Sequence, residues 1–145
     1  MDITIRPAVG SDFPAVFALF HQLWPGRELH EAAMSAVFER GLASGADTYL
    51  CAVAAGKVVG FCAYAVMNNF WQEGRIAYIY AMIVDEELRG RGFGATLLRQ
   101  AIDCARTAGC KRIELDSGFP REGAHRFYER LGFEKRAFLF SLELG

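Results

Sequence analysis

Residues 76–108 constrain the fold most, because they combine an apolar strand, a glycine-rich turn and an amphipathic helix. The apolar run Ile76–Val84 carries no charge, and Arg89-Gly90-Arg91-Gly92-Phe93-Gly94 follows a short acidic turn. A helix N-terminus leaves N–H groups without intrahelical partners and carries partial positive charge, and glycines let a ligand approach the backbone. The segment therefore predicts a backbone cradle for a phosphate group.

The remaining pattern predicts a single domain over residues 1–145, with an α/β (α+β mixed) fold. The run of strand 76–84, helix and strand 112–116 is a βαβ unit, which implies one parallel pair in an otherwise mostly antiparallel, twisted mixed sheet with about four flanking helices. Other strands are predicted over 2–6, 48–53 and 58–67, other helices over about 13–24, 28–42 and 122–130, and one bent or two short strands over 133–144.

Composition excludes several classes of protein. The formal net charge of -1 lacks the basic excess of most nucleic-acid-binding proteins. We expect no membrane span, since no run reaches the roughly 20 apolar residues needed, and residues 1–6 lack a targeting pattern. The four cysteines and three histidines show no metal-ligand spacing, so we expect no metal, and free thiols favour the cytoplasm.

Three kinds of phosphate ligand fit a glycine turn. The P-loop pattern for nucleotides is absent. A dinucleotide-binding oxidoreductase is one alternative, since Gly90, Gly92 and Ala95 satisfy GxGxx(G/A) and Asp116 lies near the end of the next strand. That fingerprint usually opens a long doubly wound domain, whereas here it follows four predicted strands.

The third interpretation uses the whole chain. Arg89-x-x-Gly92-x-Gly94, together with Ala124-His125-Arg126-Phe127-Tyr128-Glu129-Arg130-Leu131-Gly132-Phe133, resembles the signature of the GNAT (Gcn5-related) N-acetyltransferases. The two pieces lie at the spacing of that family, and the order of elements matches from end to end. The resemblance implies a GNAT fold and acetyl-CoA as the co-substrate.

The resemblance also implies roles for individual residues. The backbone of the turn would hold the CoA pyrophosphate, the end of the preceding strand would pair with the pantetheine arm, and Tyr128 would protonate the leaving thiolate. The residues so assigned to CoA are Met82, Ile83, Val84, Arg89, Gly90, Arg91, Gly92, Phe93, Gly94, Ser117 and Tyr128. Where the family often has an asparagine before the last helix, this chain has residues 117–121, Ser-Gly-Phe-Pro-Arg.

The general base does not carry over from the family. Many members place a glutamate on the strand before the turn, where this chain has Tyr78 and Tyr80. A tyrosine can relay a proton through water but is a poor direct base at neutral pH. The two tyrosines are thus candidate catalytic residues, with plain sheet aromatics as the alternative.

The acceptor wall in this family comes from the early helices and the loop before the central strand. The residues so assigned are Trp24, His30, Trp71, Glu73 and Tyr78. Weaker likenesses to aminoalkylphosphonate and aminoglycoside acetyltransferases disagree about the acceptor's charge. A phosphonate would require arginines such as Arg75, Arg121 or Arg136, and a polyamine-like sugar would require carboxylates.

These features predict an N-acetyltransferase that moves the acetyl group from acetyl-CoA directly to a primary amine of a small molecule in a ternary complex. No covalent acetyl-enzyme is expected, and Cys62 is the thiol best placed to challenge this. The alternative class is an acyl-CoA-binding sensor or a non-catalytic subunit. The family often dimerises, and the strands predicted near the C-terminus would support a homodimer.

Overall fold

The computed structural model describes residues 2–118 and 121–145. These described residues form two compact units, one that ends at Glu114 and one that starts at Leu115. Across the described residues, no helix is both long enough and apolar enough to cross a membrane.

A five-stranded sheet forms the first unit, with strands in the order β1-β2-β3-β4-β5. The first three neighbouring pairs are antiparallel, and the βαβ connection makes β4 and β5 the parallel pair. The predicted fold class is confirmed, and β2, β3 and β4 extend one or two residues beyond their predicted ends. The strands are β1 (Ile3–Pro7), β2 (Asp47–Ala54), β3 (Lys57–Asn69), β4 (Gly74–Val84) and β5 (Arg112–Leu115).

Helices cover both faces of the sheet. On one face, α1 (Phe13–Leu23) and α2 (Glu31–Ala43) bury a cluster that includes Val16, Phe38 and Phe61. On the other face, α3 (Phe93–Thr107) buries the stripe Leu97, Leu98, Ala101 and Ala105, as its periodicity predicted. Leu97 lies over Gly60 of β3.

A β-bulge interrupts the pairing of β3 with β4. Ala63 pairs with Ala81 and Tyr64 pairs with Ile79, so Tyr80 is the extra residue of β4. A bulge re-aims side chains, because two residues on one strand face a single position on the other. Tyr80 consequently shares the α1–α2 face with Ala81, which belongs to that core cluster.

The second unit contains α4 (Glu122–Arg130), as predicted. The strands predicted over 133–144 are wrong for the described chain, since residues 133–145 form neither strand nor helix. The large apolar side chains from Phe138 onward are mostly exposed, from 69% for Leu139 to 95% for Leu144. A strand requires a partner edge as well as an alternating sequence, and only the alternation is visible in the sequence.

Candidate active site

The turn between β4 and α3 is held in shape by its own backbone. Asp85 N–H donates to Val59 O at 2.8 Å, and Leu88 N–H donates to Asp85 O at 2.9 Å. Gly90 and Gly92 both have φ of +81°, in the left-handed region that favours glycine. A Cβ at either position would meet no atom within 4 Å, so the glycines satisfy the backbone conformation and leave open space in front of it.

The N-terminus of α3 has the features of an anion site. Gly92 is its N-cap residue, and no side chain accepts a hydrogen bond from the first turn. The N–H groups of this first turn therefore have no intrahelical partner. Together with the helix dipole, such N–H groups suit an anion, which agrees with the phosphate cradle expected here but does not test it.

Two exposed arginines flank this cradle. Arg89 Nε–H donates to Val84 O at 3.2 Å, which fixes the guanidinium beside the end of β4. Only one of the five N–H donors of Arg89 is used in that bond. Arg91 lies between the two left-handed glycines and is exposed.

The outer edge of β4 is only partly covered by β5. Lys111 N–H donates to Arg75 O at 2.8 Å, so β5 begins beside the start of β4. With four residues against eleven, β5 ends well before the last residues of β4. Met82, Ile83 and Val84 therefore lie on an edge that extends past the neighbouring strand, where an extended ligand has room to pair with the backbone.

A chain of hydroxyl groups orients Tyr80. Tyr80 Oη donates to Tyr49 Oη at 3.0 Å, and Tyr49 Oη donates to Val37 O at 3.4 Å. The direction is fixed because a carbonyl oxygen only accepts. Burial and the hydrogen bond to Tyr49 both raise the pKa of Tyr80, so this phenol keeps its proton near neutral pH.

Tyr78 and Tyr80 lie on the same sheet face, as residues assigned to one site should. Tyr78 pairs with Ala65, which pairs with Asp47 of β2, so these three residues form one row across the sheet. Sequence reasoning missed both Asp47 and Tyr49. They are two strands away from β4, and only the register of β3 places them beside Tyr80.

The assigned residues of the second unit are described by themselves. Tyr128 is 8% exposed on α4, and its ring packs on Phe127 and Phe133 at 5.3 and 5.8 Å. Ser117 Oγ is buried and has no hydrogen-bond partner among the described residues. Such orphaned groups are rare in folded proteins and point to a missing ligand or water. Phe119 and Pro120 of the same loop lie outside the described residues.

The residues assigned to the acceptor wall lie in different places. Trp24 ends α1, packs on Phe20 at 5.2 Å and is 36% exposed, and the exposed His30 is the N-cap residue of α2. Trp71 is 81% exposed at the β3–β4 turn, and Glu73 O accepts from Lys111 Nζ at 3.2 Å. Gly74 begins β4, so this turn is about 20 Å along the strand from Tyr80.

Cys62 is fully buried on β3. Burial is the main reason why the pKa of its thiol rises to about 12, which keeps the sulfur protonated and unreactive at neutral pH.

The sheet topology does not fit the alternative of a dinucleotide-binding oxidoreductase. That reading requires a parallel doubly wound sheet, whereas β1 to β4 pair antiparallel.

Comparisons with known proteins identify the family. The model of the acetyltransferase (GNAT) family matches residues 13–133. The aminoalkylphosphonate N-acetyltransferase of Salmonella typhimurium is 31% identical over 140 residues, which cover 97% of this chain and 90% of that protein. A shorter segment of 83 residues is 40% identical to an uncharacterized N-acetyltransferase of Methanocaldococcus jannaschii but covers only 36% of it.

A solved structure agrees in fold. The putative acetyltransferase from Agrobacterium tumefaciens has a TM-score of 0.85 at 31% identity and covers 97% of this chain and 99% of its own. The predicted likeness to aminoalkylphosphonate and aminoglycoside acetyltransferases is confirmed, since proteins of both names are among the relatives. The chain belongs to the GNAT family of acetyltransferases and is an acyltransferase.

Proposed function

We propose that this acyltransferase moves the acetyl group of acetyl-CoA directly to a primary amine of a small molecule, in a ternary complex. The observation that carries the proposal is the N-terminus of α3, where left-handed Gly92 precedes a first turn that no side chain caps. This arrangement suits the pyrophosphate of CoA, with Arg89 and Arg91 supplying further charge.

The pantetheine arm would lie along the edge of β4 that β5 leaves uncovered. Backbone groups of Met82, Ile83 and Val84 would pair with its amides, as an added strand does. A backbone N–H of Ile83 or Val84 would also stabilise the tetrahedral oxyanion. Ser117 Oγ is buried and has no hydrogen-bond partner within residues 2–118 and 121–145, which supports its assignment as a further contact to CoA.

The chemistry is a direct acyl transfer. The neutral amine attacks the thioester carbonyl carbon and forms the C–N bond, and collapse of the resulting tetrahedral oxyanion then breaks the C–S bond. The amine releases its proton to water, and the departing thiolate takes a proton from Tyr128 Oη. The buried, protonated Cys62 supports a path without an acetyl-enzyme. Holding amine and thioester together would supply most of the acceleration.

The raised pKa of Tyr80 refines the proposed role of the two sheet tyrosines. Because Tyr80 keeps its proton and donates it to Tyr49, its oxygen lone pairs face the acceptor as hydrogen-bond acceptors. We therefore assign Tyr80 to binding and orienting the acceptor molecule. Tyr78, in the next row of the same face, would complete this part of the site together with bound water.

The proposal is tested by calorimetric titration with acetyl-CoA, with NAD as the control ligand, followed by an amine screen for CoA release. We expect acetyl-CoA to bind and NAD not to bind. Gly92→Asp should abolish acetyl-CoA binding, because it adds a side chain and a negative charge to the cradle. Gly45→Asp is the matched control, since a Cβ there meets nothing within 4 Å in an exposed loop.

Tyr128→Phe separates catalysis from binding. We expect unchanged affinity for acetyl-CoA and a kcat reduced at least about tenfold, the loss typical of a removed general acid. If acetyl-CoA binds but no amine releases CoA, the chain is an acyl-CoA sensor or a non-catalytic subunit. NAD binding without acetyl-CoA binding would exclude the acetyltransferase proposal altogether.

We also propose that the chain forms a homodimer through residues 133–145. Phe138, Phe140, Leu142 and Leu144 alternate with other residues, as in a half-buried strand, and are 72–95% exposed. A second copy would supply the strand edge and apolar cover that such a pattern requires. Sedimentation should show a dimer, and Phe140→Asp with Leu142→Asp should give a monomer; a wild-type monomer would contradict the proposal.

The four free thiols support a reducing compartment such as the cytoplasm.

A further inference from the structure

A group of polar side chains surrounds Tyr80 on the α1–α2 face of the sheet. Asp47 and Tyr49 alternate along β2 and point to this face, and Tyr78 and Tyr80 reach it from β4. Between them, β3 contributes only the methyl groups of Ala63 and Ala65 to this face. We call the depression between Asp47, Ala65, Tyr78 and Tyr80 the Asp47 trough.

Small residues on the central strand leave space between the side chains of β2 and β4. Larger side chains at 63 and 65 would fill the space between β2 and β4, whose backbones lie about 10 Å apart. Asp47, Ala65 and Tyr78 are half-buried, and Tyr80 is 37% exposed. The trough is therefore partly open to solvent, whereas Tyr49 beside it is only 6% exposed.

The charge of the trough is negative. Among residues 2–118 and 121–145, no basic side chain lies within salt-bridge distance of the Asp47 carboxylate. Asp47 is close enough to Tyr80 to act on its hydroxyl. Arg40, in the last turn of α2, is the charged group that faces Tyr49 from the helix.

The hydroxyl chain adds polarity to this charge. The Tyr49 hydroxyl donates a hydrogen bond to Val37 O and accepts one from the Tyr80 hydroxyl. The Tyr80 oxygen therefore offers its lone pairs to a ligand. The trough thus presents a carboxylate and an oriented phenol oxygen, both of which accept hydrogen bonds. An alkylammonium group, with three donors and a positive charge, is the complementary ligand.

An anionic acceptor lacks matching groups here. Arg75 is the arginine of β4 that a phosphonate would have required, and its Nη2 donates to Ala108 O at 2.7 Å, at the end of α3. Its guanidinium is therefore held away from the trough by the helix that covers the opposite face. A phosphonate or phosphate beside Asp47 would meet repulsion from its carboxylate.

We propose that the Asp47 trough binds a second, non-reacting ammonium group of the acceptor, so that the preferred substrates are diamines or polyamines and not phosphorylated or phosphonylated amines. Asp47 is the binding residue for that ammonium. Tyr49 is a positioning residue, which acts through Tyr80. This inference rests on the proposed amine acetylation, but its test also has a readout that is independent of acetyl transfer.

The first experiment compares three primary amines of similar length, namely 1,4-diaminobutane, 1-aminobutane and 3-aminopropylphosphonate, at saturating acetyl-CoA. We expect kcat/KM to be about tenfold higher for the diamine than for aminobutane, which corresponds to one charge-assisted contact, and lowest for the phosphonate. Asp47→Asn should remove the diamine's advantage, so that the diamine-to-aminobutane ratio of kcat/KM falls from about ten to about one. Glu39→Gln, a carboxylate lost from an exposed position of α2, is the matched control.

The second experiment tests the positioning role. Tyr49→Phe should raise KM for the diamine several-fold without changing the affinity for acetyl-CoA, and in the Tyr80→Phe background it should have no further effect. Equal losses for all three amines, or a diamine-to-aminobutane ratio unchanged by Asp47→Asn, would overturn the inference.

Calorimetry of 1,4-diaminobutane distinguishes this inference from the proposed function. Binding to the CoA-saturated protein that is lost in Asp47→Asn supports the trough even when no acetyl group is transferred. If the protein binds no CoA, Asp47-dependent diamine binding to the protein alone still supports the trough while the acetyltransferase proposal fails. Absence of Asp47-dependent binding in both states would overturn the inference.

Discussion

Arg6 and Asp12 form a two-pronged ion pair that ties β1 to the start of α1. Arg6 Nη1 lies 2.7 Å from Asp12 Oδ2, and Arg6 Nη2 lies 2.8 Å from Asp12 Oδ1. Val9 N–H also donates to Asp12 Oδ2 at 2.8 Å. The hydrogen bonds from Arg6 are the main cause, and that from Val9 a further one, of an Asp12 pKa lowered to about 2 from 3.8.

The Arg6–Asp12 ion pair predicts how the free energy of unfolding changes with pH in the acid range. A lowered native pKa stabilises the fold above the unfolded value of 3.8, and that contribution is lost as pH falls through 3.8 toward about 2. Asp12→Asn should lower the free energy of unfolding at pH 7 by about 2 kcal/mol and flatten its decline in acid. Urea unfolding across this pH range measures both effects.

The control for this prediction is the exposed pair of Asp103 and Arg106 on α3, with side chains 68% and 72% exposed. Asp103→Asn should change stability by less than about 0.5 kcal/mol, because water screens the pair. Parallel acid profiles for the wild type and Asp12→Asn would refute the role of Asp12.

The ring of Tyr49 leaves no space for a side chain at Gly41. A Cβ on Gly41 of α2 would overlap Oη and Cζ of Tyr49, whose ring is nearly buried. Alanine is favoured over glycine by about 1 kcal/mol inside a helix, but overpacking a rigid ring costs about 1–3 kcal/mol. We expect Gly41→Ala to destabilise the fold by about 1 kcal/mol, measured by urea unfolding. Gly45→Ala, with no atom near its Cβ, should change stability little; equal effects would disprove the clash.

The cradle was predictable from sequence because its signals are local. Glycines at 90 and 92, the arginines beside them and the helical stripe that follows all act within one segment of about thirty residues. The apolar run before them predicted a strand, which completed the strand–turn–helix interpretation of this segment. Each of these elements formed with the expected boundaries to within two residues.

The rest of the site depends on which residues become neighbours across the sheet. The bulge at Tyr80 and the row that joins Asp47 to Tyr78 follow from strand register, which leaves no trace in the spacing of either segment. The alternation over 133–144 predicted a strand whose edge partner is absent from the described chain. Asp12 is the N-cap residue of α1, but its carboxylate bonds Arg6 and not the first turn of the helix, a long-range choice that local spacing does not show.

Arg89 predicts a measurable difference between two arginines of one segment. Arg89→Gln should weaken acetyl-CoA binding about tenfold, because it removes a forked cation beside the pyrophosphate cradle. Arg89→Lys should recover only part of the affinity, since lysine keeps the charge but lacks the Nε–H that bonds Val84 O. Arg99→Gln, an exposed arginine farther along α3, is the control. Equal weakening by Arg89→Gln and Arg99→Gln would indicate a general charge effect, and calorimetry at two salt concentrations would measure it.

Three of the five tyrosines should resist ionisation in the native protein. Burial is the main cause that raises the pKa of Tyr49, Tyr64 and Tyr80 above 10. A group with a raised native pKa stabilises the fold below its unfolded pKa, and this contribution is lost as pH rises past 10. Absorbance titration at alkaline pH should therefore show fewer ionised tyrosines in the native protein than in the unfolded chain at the same pH, with a jump in tyrosinate when the chain unfolds. Tyr80→Phe should reduce that jump by one residue. Ionisation of all five at pH about 10 without unfolding would show that Tyr80 is free to act as a base.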